Sequence, residues 1–167
     1  MRRSHTTGSL LLTLALFVWA GMVVGISFLE APLKFTAPHI TVPLGLGIGR
    51  IVFAALNKAE LALGILAVVS AFYLRVPKRV GTGLGVLSTI LLAQTFWLLP
   101  ALDVRATAVL AGSTAPPGFL HMLYIGLEVL KLVFLLLTGT WAHGWALQVA
   151  CQRTSAPEPR VPHRLTL

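Results

Sequence analysis

The chain predicts an all-α fold, an integral membrane bundle of four antiparallel helices, and three observations carry that expectation. Four apolar runs fill most of its 167 residues, mean hydropathy is +0.86 with 56% apolar and 11% charged residues, and Lys and Arg gather at the ends of the runs. A soluble domain has about a quarter of its residues charged. Four bilayer crossings consume nearly the whole chain and leave no room for a second folded domain.

The first span, residues 9–29, holds 21 residues without a charge, matching the roughly 20 that cross a bilayer as a helix. It is longer than the roughly 7 to 15 residues of a signal-peptide core, and Phe28-Leu29-Glu30-Ala31-Pro32 offers no small-x-small cleavage site, so it is expected to stay as an anchor behind a short N-terminus, residues 1–8. The second span covers residues 51–74, with interfacial turns from about Ile48. It ends before Arg75-Val76-Pro77-Lys78-Arg79, where a proline and three basic residues mark a tight turn at a headgroup surface. The third span, residues 80–99, is expected to stop at Pro100. The fourth, residues 119–141, follows Pro116-Pro117-Gly118 and fades in an aromatic band at Trp141 and Trp145. The transmembrane domain is thus 9–148. Residues 149–167, with prolines and alternating charge, read as a disordered tail.

Residues 30–49 contain Pro32, Pro38, Pro43, Gly45, Gly47 and Gly49, which predicts an irregular segment folded against the outer membrane face. Gly45-Leu46-Gly47-Ile48-Gly49 lacks the strand and spacing of a nucleotide-binding loop. The pairs Gly21/Gly25 and Gly81/Gly85 have small-xxx-small spacing. Packing within the chain is favoured there over homodimerisation.

Orientation follows from the positive charges outside the spans. Arg2, Arg3, Arg75, Lys78, Arg79, Arg153, Arg160 and Arg164 fall on one side; Lys34, Arg50 and Arg105 fall on the other. The positive-inside rule places the first side, with both termini, in the cytosol of an inner (plasma) membrane protein. The formal charge of +8 is too dispersed for nucleic-acid binding and suits anionic headgroups, so the bilayer is the expected partner, with other membrane proteins or a second copy as further candidates. Cys151, the only cysteine, excludes an internal disulfide and thiolate metal clusters within one chain.

Ionisable residues inside apolar spans usually face a bundle interior or a wet cavity. Arg50, Asn57, Glu60 and Gly64 share a helical stripe at separations of seven, three and four, while Lys58 lies off it; His121, Tyr124, Glu128 and Lys131 form a second at three, four and three. With Glu30 at the end of the first span and Gln94 in the third, four helices contribute polar groups to the outer half of the bilayer. The expected polar site is therefore Glu30, Arg50, Asn57, Glu60, Gln94, His121, Glu128 and Lys131.

On a structural account these residues fix helix register: Glu30 pairs with Lys34, Glu128 with Lys131, and Glu60 with Arg50 or Lys131. On a functional account they form an outward-facing site for a proton or small cation, since carboxylates exchange a proton for a cation and imidazole titrates near neutrality. His121 and Glu128 are weak metal candidates, because a second histidine at ligand spacing is missing. His121 and His143 are 22 residues apart on one helix, roughly 33 Å, and cannot share a haem within one chain. No nucleophile constellation points to an enzyme, and no cofactor is identified.

Four stretches, Phe28-Leu29-Glu30-Ala31-Pro32-Leu33-Lys34-Phe35, Gly49-Arg50-Ile51-Val52-Phe53, Leu99-Pro100-Ala101-Leu102-Asp103-Val104-Arg105 and Phe119-Leu120-His121-Met122-Leu123, together resemble the transmembrane protein 205-like family of small four-helix membrane proteins. The resemblance covers about residues 9–140. It implies a four-helix membrane fold and a distant likeness to membrane proteins concerned with copper or haem, and it supplies no catalytic residue. Glu128-Val129-Leu130-Lys131 departs from the neutral fourth helix of that family. The leading expectation is a non-enzymatic multi-pass protein handling a proton or cation. An accessory or assembly subunit that meets partner helices through its intramembrane charges is the alternative, and a haem- or copper-linked membrane oxidoreductase comes third.

Overall fold

Helix is the only regular structure among the described residues of the computed structural model, 2–113 and 118–154. Four long rods follow one another. The first is α1 (Arg2–Val23), a π-helical segment (Val24–Glu30), α2 (Ala31–Leu33) and a 3-10 turn (Lys34–Thr36). The second is α3 (Val42–Leu74). The third joins α4 (Lys78–Ala93), a π-helical segment (Gln94–Leu98) and α5 (Leu99–Leu110), and the fourth is α6 (Phe119–Thr154). Each contains a stretch long and apolar enough to cross a membrane: Thr7–Thr36, Val42–Leu74, Lys78–Leu110 and Phe119–Gln152, of 30, 33, 33 and 34 residues.

These rods are longer than the sequence predicts. Pro100 does not stop the third, which continues to Leu110, and the first continues past Leu29 to Thr36. In both a π-helical segment ends two residues before a proline: Leu98 before Pro100, Glu30 before Pro32. A proline within an α-helix removes one hydrogen bond and drives its ring into the carbonyl of residue i−4. The π turns widen the ladder at that place, with Leu99 N–H bonding Gln94 O and Ala31 N–H bonding Ile26 O, both spanning five residues. The chain passes each proline without breaking.

The segment 30–49 is likewise helical over most of its length, not irregular. The second rod begins at Val42, not near Ile48. Thr41 caps it by accepting from Leu44 N–H at 3.4 Å, and Pro43 sits in the first turn, where no amide donor is required. Gly45 and Gly49 serve close approach: a side-chain carbon at Gly45 would overlap the Phe35 ring, and one at Gly49 would stand 3.1 Å from Lys34 Nζ. The end of the first rod therefore lies directly on α3. At the other end Arg75 closes α3 in the left-handed region (φ 51), and Pro77 precedes α4, the tight turn expected there. Residues 149–154 extend α6 rather than joining a disordered tail. Residues 155–167, with the rest of that expected tail, and the proline pair at 116–117 lie outside the described residues.

The α1 rod is the hub, packing most extensively against α3 and α6, while α4 packs against α6. Its buried face is Leu12, Ala15, Leu16, Trp19, Ala20 and Val23, a stripe at helical spacing, and it meets Ala67, Leu87, Leu91 and Leu135 of the other rods. Outward faces are apolar too: Ile51, Phe72, Tyr73, Phe96, Val104 and Phe119 are each more than 70% exposed. Packing glycines are not those the spacing singled out. Carbons added at Gly21, Gly25, Gly81 or Gly85 would meet nothing within 4 Å, whereas Gly83 lies against Thr138 and Gly139 against Phe17. The small-xxx-small pairs thus face away from the core.

Overpacking a tight contact costs about 1–3 kcal/mol. Gly83→Val should lower the thermal unfolding midpoint in detergent by that order of destabilisation, and Gly85→Val, two residues along the same helix, should leave it nearly unchanged.

Candidate functional site

Lys131 is wholly buried, and its ammonium lies 2.6 Å from Glu60 Oε1, 2.7 Å from Glu128 Oε1 and 2.8 Å from Gln94 Oε1. Three N–H donors thus meet three acceptors on three different rods. The first rod completes the cluster: Trp19 Nε1 donates to Glu60 Oε1 at 2.8 Å, and Ser27 Oγ to Glu128 Oε2 at 2.9 Å. Gln94 uses both ends of its amide, accepting from Lys131 and donating through Nε2 to Glu128 Oε1 at 2.9 Å.

The π-helical segments position two of these groups. Ser27 lies in one and Gln94 in the other. Each π turn widens the helical ladder where one of these polar residues stands, and the rod continues without a break.

Of the eight predicted site residues, Glu60, Gln94, Glu128 and Lys131 come together, and the remaining four do not. Arg50 pairs with Asp103, through Nε to Oδ1 at 2.5 Å and Nη2 to Oδ2 at 3.0 Å, so Glu60 takes Lys131 alone of its two expected partners. Asn57 donates to Thr95 Oγ1 at 2.8 Å. Glu30 holds Lys34 at 3.3 Å, the expected i,i+4 pair, and His121 is exposed. Lys58, off the buried stripe, is exposed as its angular position required. The cluster also lies deeper than expected. Because the third rod runs to Leu110, Gln94 falls midway along it rather than near its end.

Trp19, Ser27 and Thr95 were not singled out from the sequence. Trp19 carried a signal: it stands in the middle of an apolar run, whereas tryptophans in membrane helices concentrate at the ends. Ser27 and Thr95 carried none, since a hydroxyl within a helix commonly bonds its own backbone, as Thr95 also does to Leu91 O at 2.7 Å.

From this cluster a cavity of about 1000 Å³ runs toward the end of the rods that bears Lys34, Arg50, Asp103 and His121. Glu128, Ser27 and Asn57 lie at its deep end, and Phe53 and Tyr124, packed edge to face with ring centres 5.5 Å apart, form part of its wall. Lys34, Arg50, Asp103 and His121 line the outer part of this wall. Among the described residues no group of three or more His, Cys, Asp and Glu side chains is arranged to hold a metal ion. Comparison with protein-family models, curated proteins and solved structures found no match to this chain.

Removing one partner from a buried ion network leaves an uncompensated charge, a loss of about 3–5 kcal/mol. Lys131→Met should destabilise the protein to that extent in denaturant or thermal unfolding. Adding Glu60→Gln and Glu128→Gln to Lys131→Met should recover most of the loss, because no unpaired charge then remains.

Proposed function

We propose that this chain is a multi-pass inner-membrane protein of four antiparallel helices, with both termini cytosolic, whose buried centre takes up a proton or a small cation through an outward-opening cavity. The membrane setting is supported by the apolar outward faces and by the excess of Lys and Arg at one end of the rods. One observation carries the functional part. Glu60 and Glu128 share a single cation, Lys131, so the ionised centre bears one surplus negative charge in a buried place. An uncompensated charge there is expensive, and a proton or a monovalent cation removes the imbalance.

Glu128 is the group that would receive it. Its Oε1 is held inside the cluster by Lys131 and Gln94, while Oε2 meets the small hydroxyl of Ser27 at the deep end of the cavity. The reading as an assembly subunit draws on different residues, because these charges turn inward and pair with one another. A partner helix would instead meet the outward faces that bear Gly21 and Gly25 or Gly81 and Gly85.

Protein reconstituted in nanodiscs should show a carboxyl-protonation band in infrared difference spectra between alkaline and acidic buffer. Glu128→Gln should abolish that band while the protein stays folded by circular dichroism. An unchanged spectrum in Glu128→Gln, or no band in the parent protein at any pH at which it remains folded, overturns the reading.

A further inference from the structure

The cavity above the buried centre has a chemistry of its own. Its walls are largely apolar, with Phe28, Phe35, Phe53 and Ile125 among them, and its volume of about 1000 Å³ lies at the upper end of the range of small-molecule sites. Its charged lining has the opposite sign from the centre below. Lys34, Arg50, Lys58 and Arg105 line it, against Asp103 on the wall and Glu30 behind Lys34, so basic groups outnumber acidic ones by two in the lining above the buried centre, with Lys58 about two turns of α3 below Arg50. Arg50 commits two of its five N–H donors to Asp103, and Lys34 Nζ stands 5.4 Å from the centre of the Phe53 ring, where the basic mouth meets the apolar wall.

A basic mouth over an apolar bowl fits one class of molecule. We propose that this cavity binds an acidic amphiphile, a single phosphate- or carboxylate-type head on an apolar chain. The head lies between Arg50 and Lys34 at the mouth and the longer-reaching ammonium of Lys58 below them, and the chain packs along Phe28, Phe53 and Ile125. A hydrophobic cation would have to pass the basic mouth to reach Glu128, and a free inorganic anion would leave the apolar wall unused. The site stands independently of proton uptake at the buried centre, because none of its head-binding residues belongs to that centre.

The test uses the full-length protein in non-ionic detergent, with decyl phosphate as the probe and decyltrimethylammonium and inorganic phosphate as comparators. Native mass spectrometry and ligand-dependent thermal stabilisation report binding. Saturable binding of decyl phosphate, with no saturable binding of the two comparators, is the expected result. Lys58→Gln, at an exposed side chain, and Arg50→Gln should each weaken it roughly tenfold, one charge-assisted contact being lost in each. Arg75→Gln, remote from this cavity, should leave binding unchanged. Equal binding by the parent and both cavity variants means annular association only and overturns the proposal. So does preferential binding of decyltrimethylammonium, or binding of inorganic phosphate as tight as that of decyl phosphate. Should Arg50→Gln lose its fold, Lys58→Gln alone decides the outcome.

Discussion

The buried charges at the middle of this molecule are organised by one ammonium group. Lys131 Nζ bonds Glu60 from α3, Gln94 from the third rod and Glu128 from its own helix. Two of those acceptors are in turn tied to the first rod by Trp19 and Ser27. In an apolar core a single interhelical hydrogen bond contributes only about 0.6 kcal/mol on average, so no single member of the set fixes the arrangement of the rods. The constraint is collective. Rotating any rod or sliding it by one turn strands a charge, and a stranded charge costs several times what a lost hydrogen bond does. The lysine thereby selects one rotation and one register for each of the three rods it touches.

That selection depends on two local departures from α-helical geometry. Pro32 and Pro100 require the ladder to open, and each rod opens it with a π-helical segment just before the proline. Those segments hold Ser27 and Gln94. A residue that constrains the backbone and a residue that satisfies a buried carboxylate are thus linked within a few positions of each other. The same opening keeps each rod going beyond its proline, so that α5 continues far enough for Asp103 to reach Arg50. Two ties then hold α3 to the third rod, Asn57 to Thr95 and Arg50 to Asp103, about two turns apart on α3.

The helical class and the four long apolar rods are legible in the sequence from run length, and periodicity puts Glu60, Glu128 and Lys131 on inward stripes. Gln94 enters by its depth in the third run, and Glu30, Arg50, Asn57 and His121, expected at the same place, lie apart from the cluster. The polar stripes on α3 and α6 were read at the right angles, and Lys58 fell outside them for the same reason. What was not legible is what the π segments control. A proline in sequence argues for the end of a helix, and only the local backbone decides whether a widened turn absorbs it, so the first and third helices run further than the sequence predicts and Gln94 stands midway along its rod. The glycine pairs misled for a related reason. Spacing shows that two glycines share a face but not which way that face turns, and the packing position proved to be Gly83, between Gly81 and Gly85. Arg50 and Asp103, separated by 53 residues, could be matched only once the third rod was known to extend past Pro100.

The two carboxylates are not equivalent, and the difference separates a structural lock from a site with chemistry. A lock is best built with every acceptor enclosed, as Glu60 is, bonded to Lys131 and to an indole donor that sits inside the apolar core. Glu128 is divided. One oxygen completes the lock, and the other lies against Ser27 where the cavity begins. If stability alone had shaped this place, an apolar side chain of similar volume in the cavity would be at least as favourable as a charge bordering it. The cavity walls are apolar through most of their depth and become polar where they reach Glu128, Ser27 and Asn57, and basic where they reach Arg50 and Lys34. That gradient places one negative centre behind an apolar passage with a positive mouth.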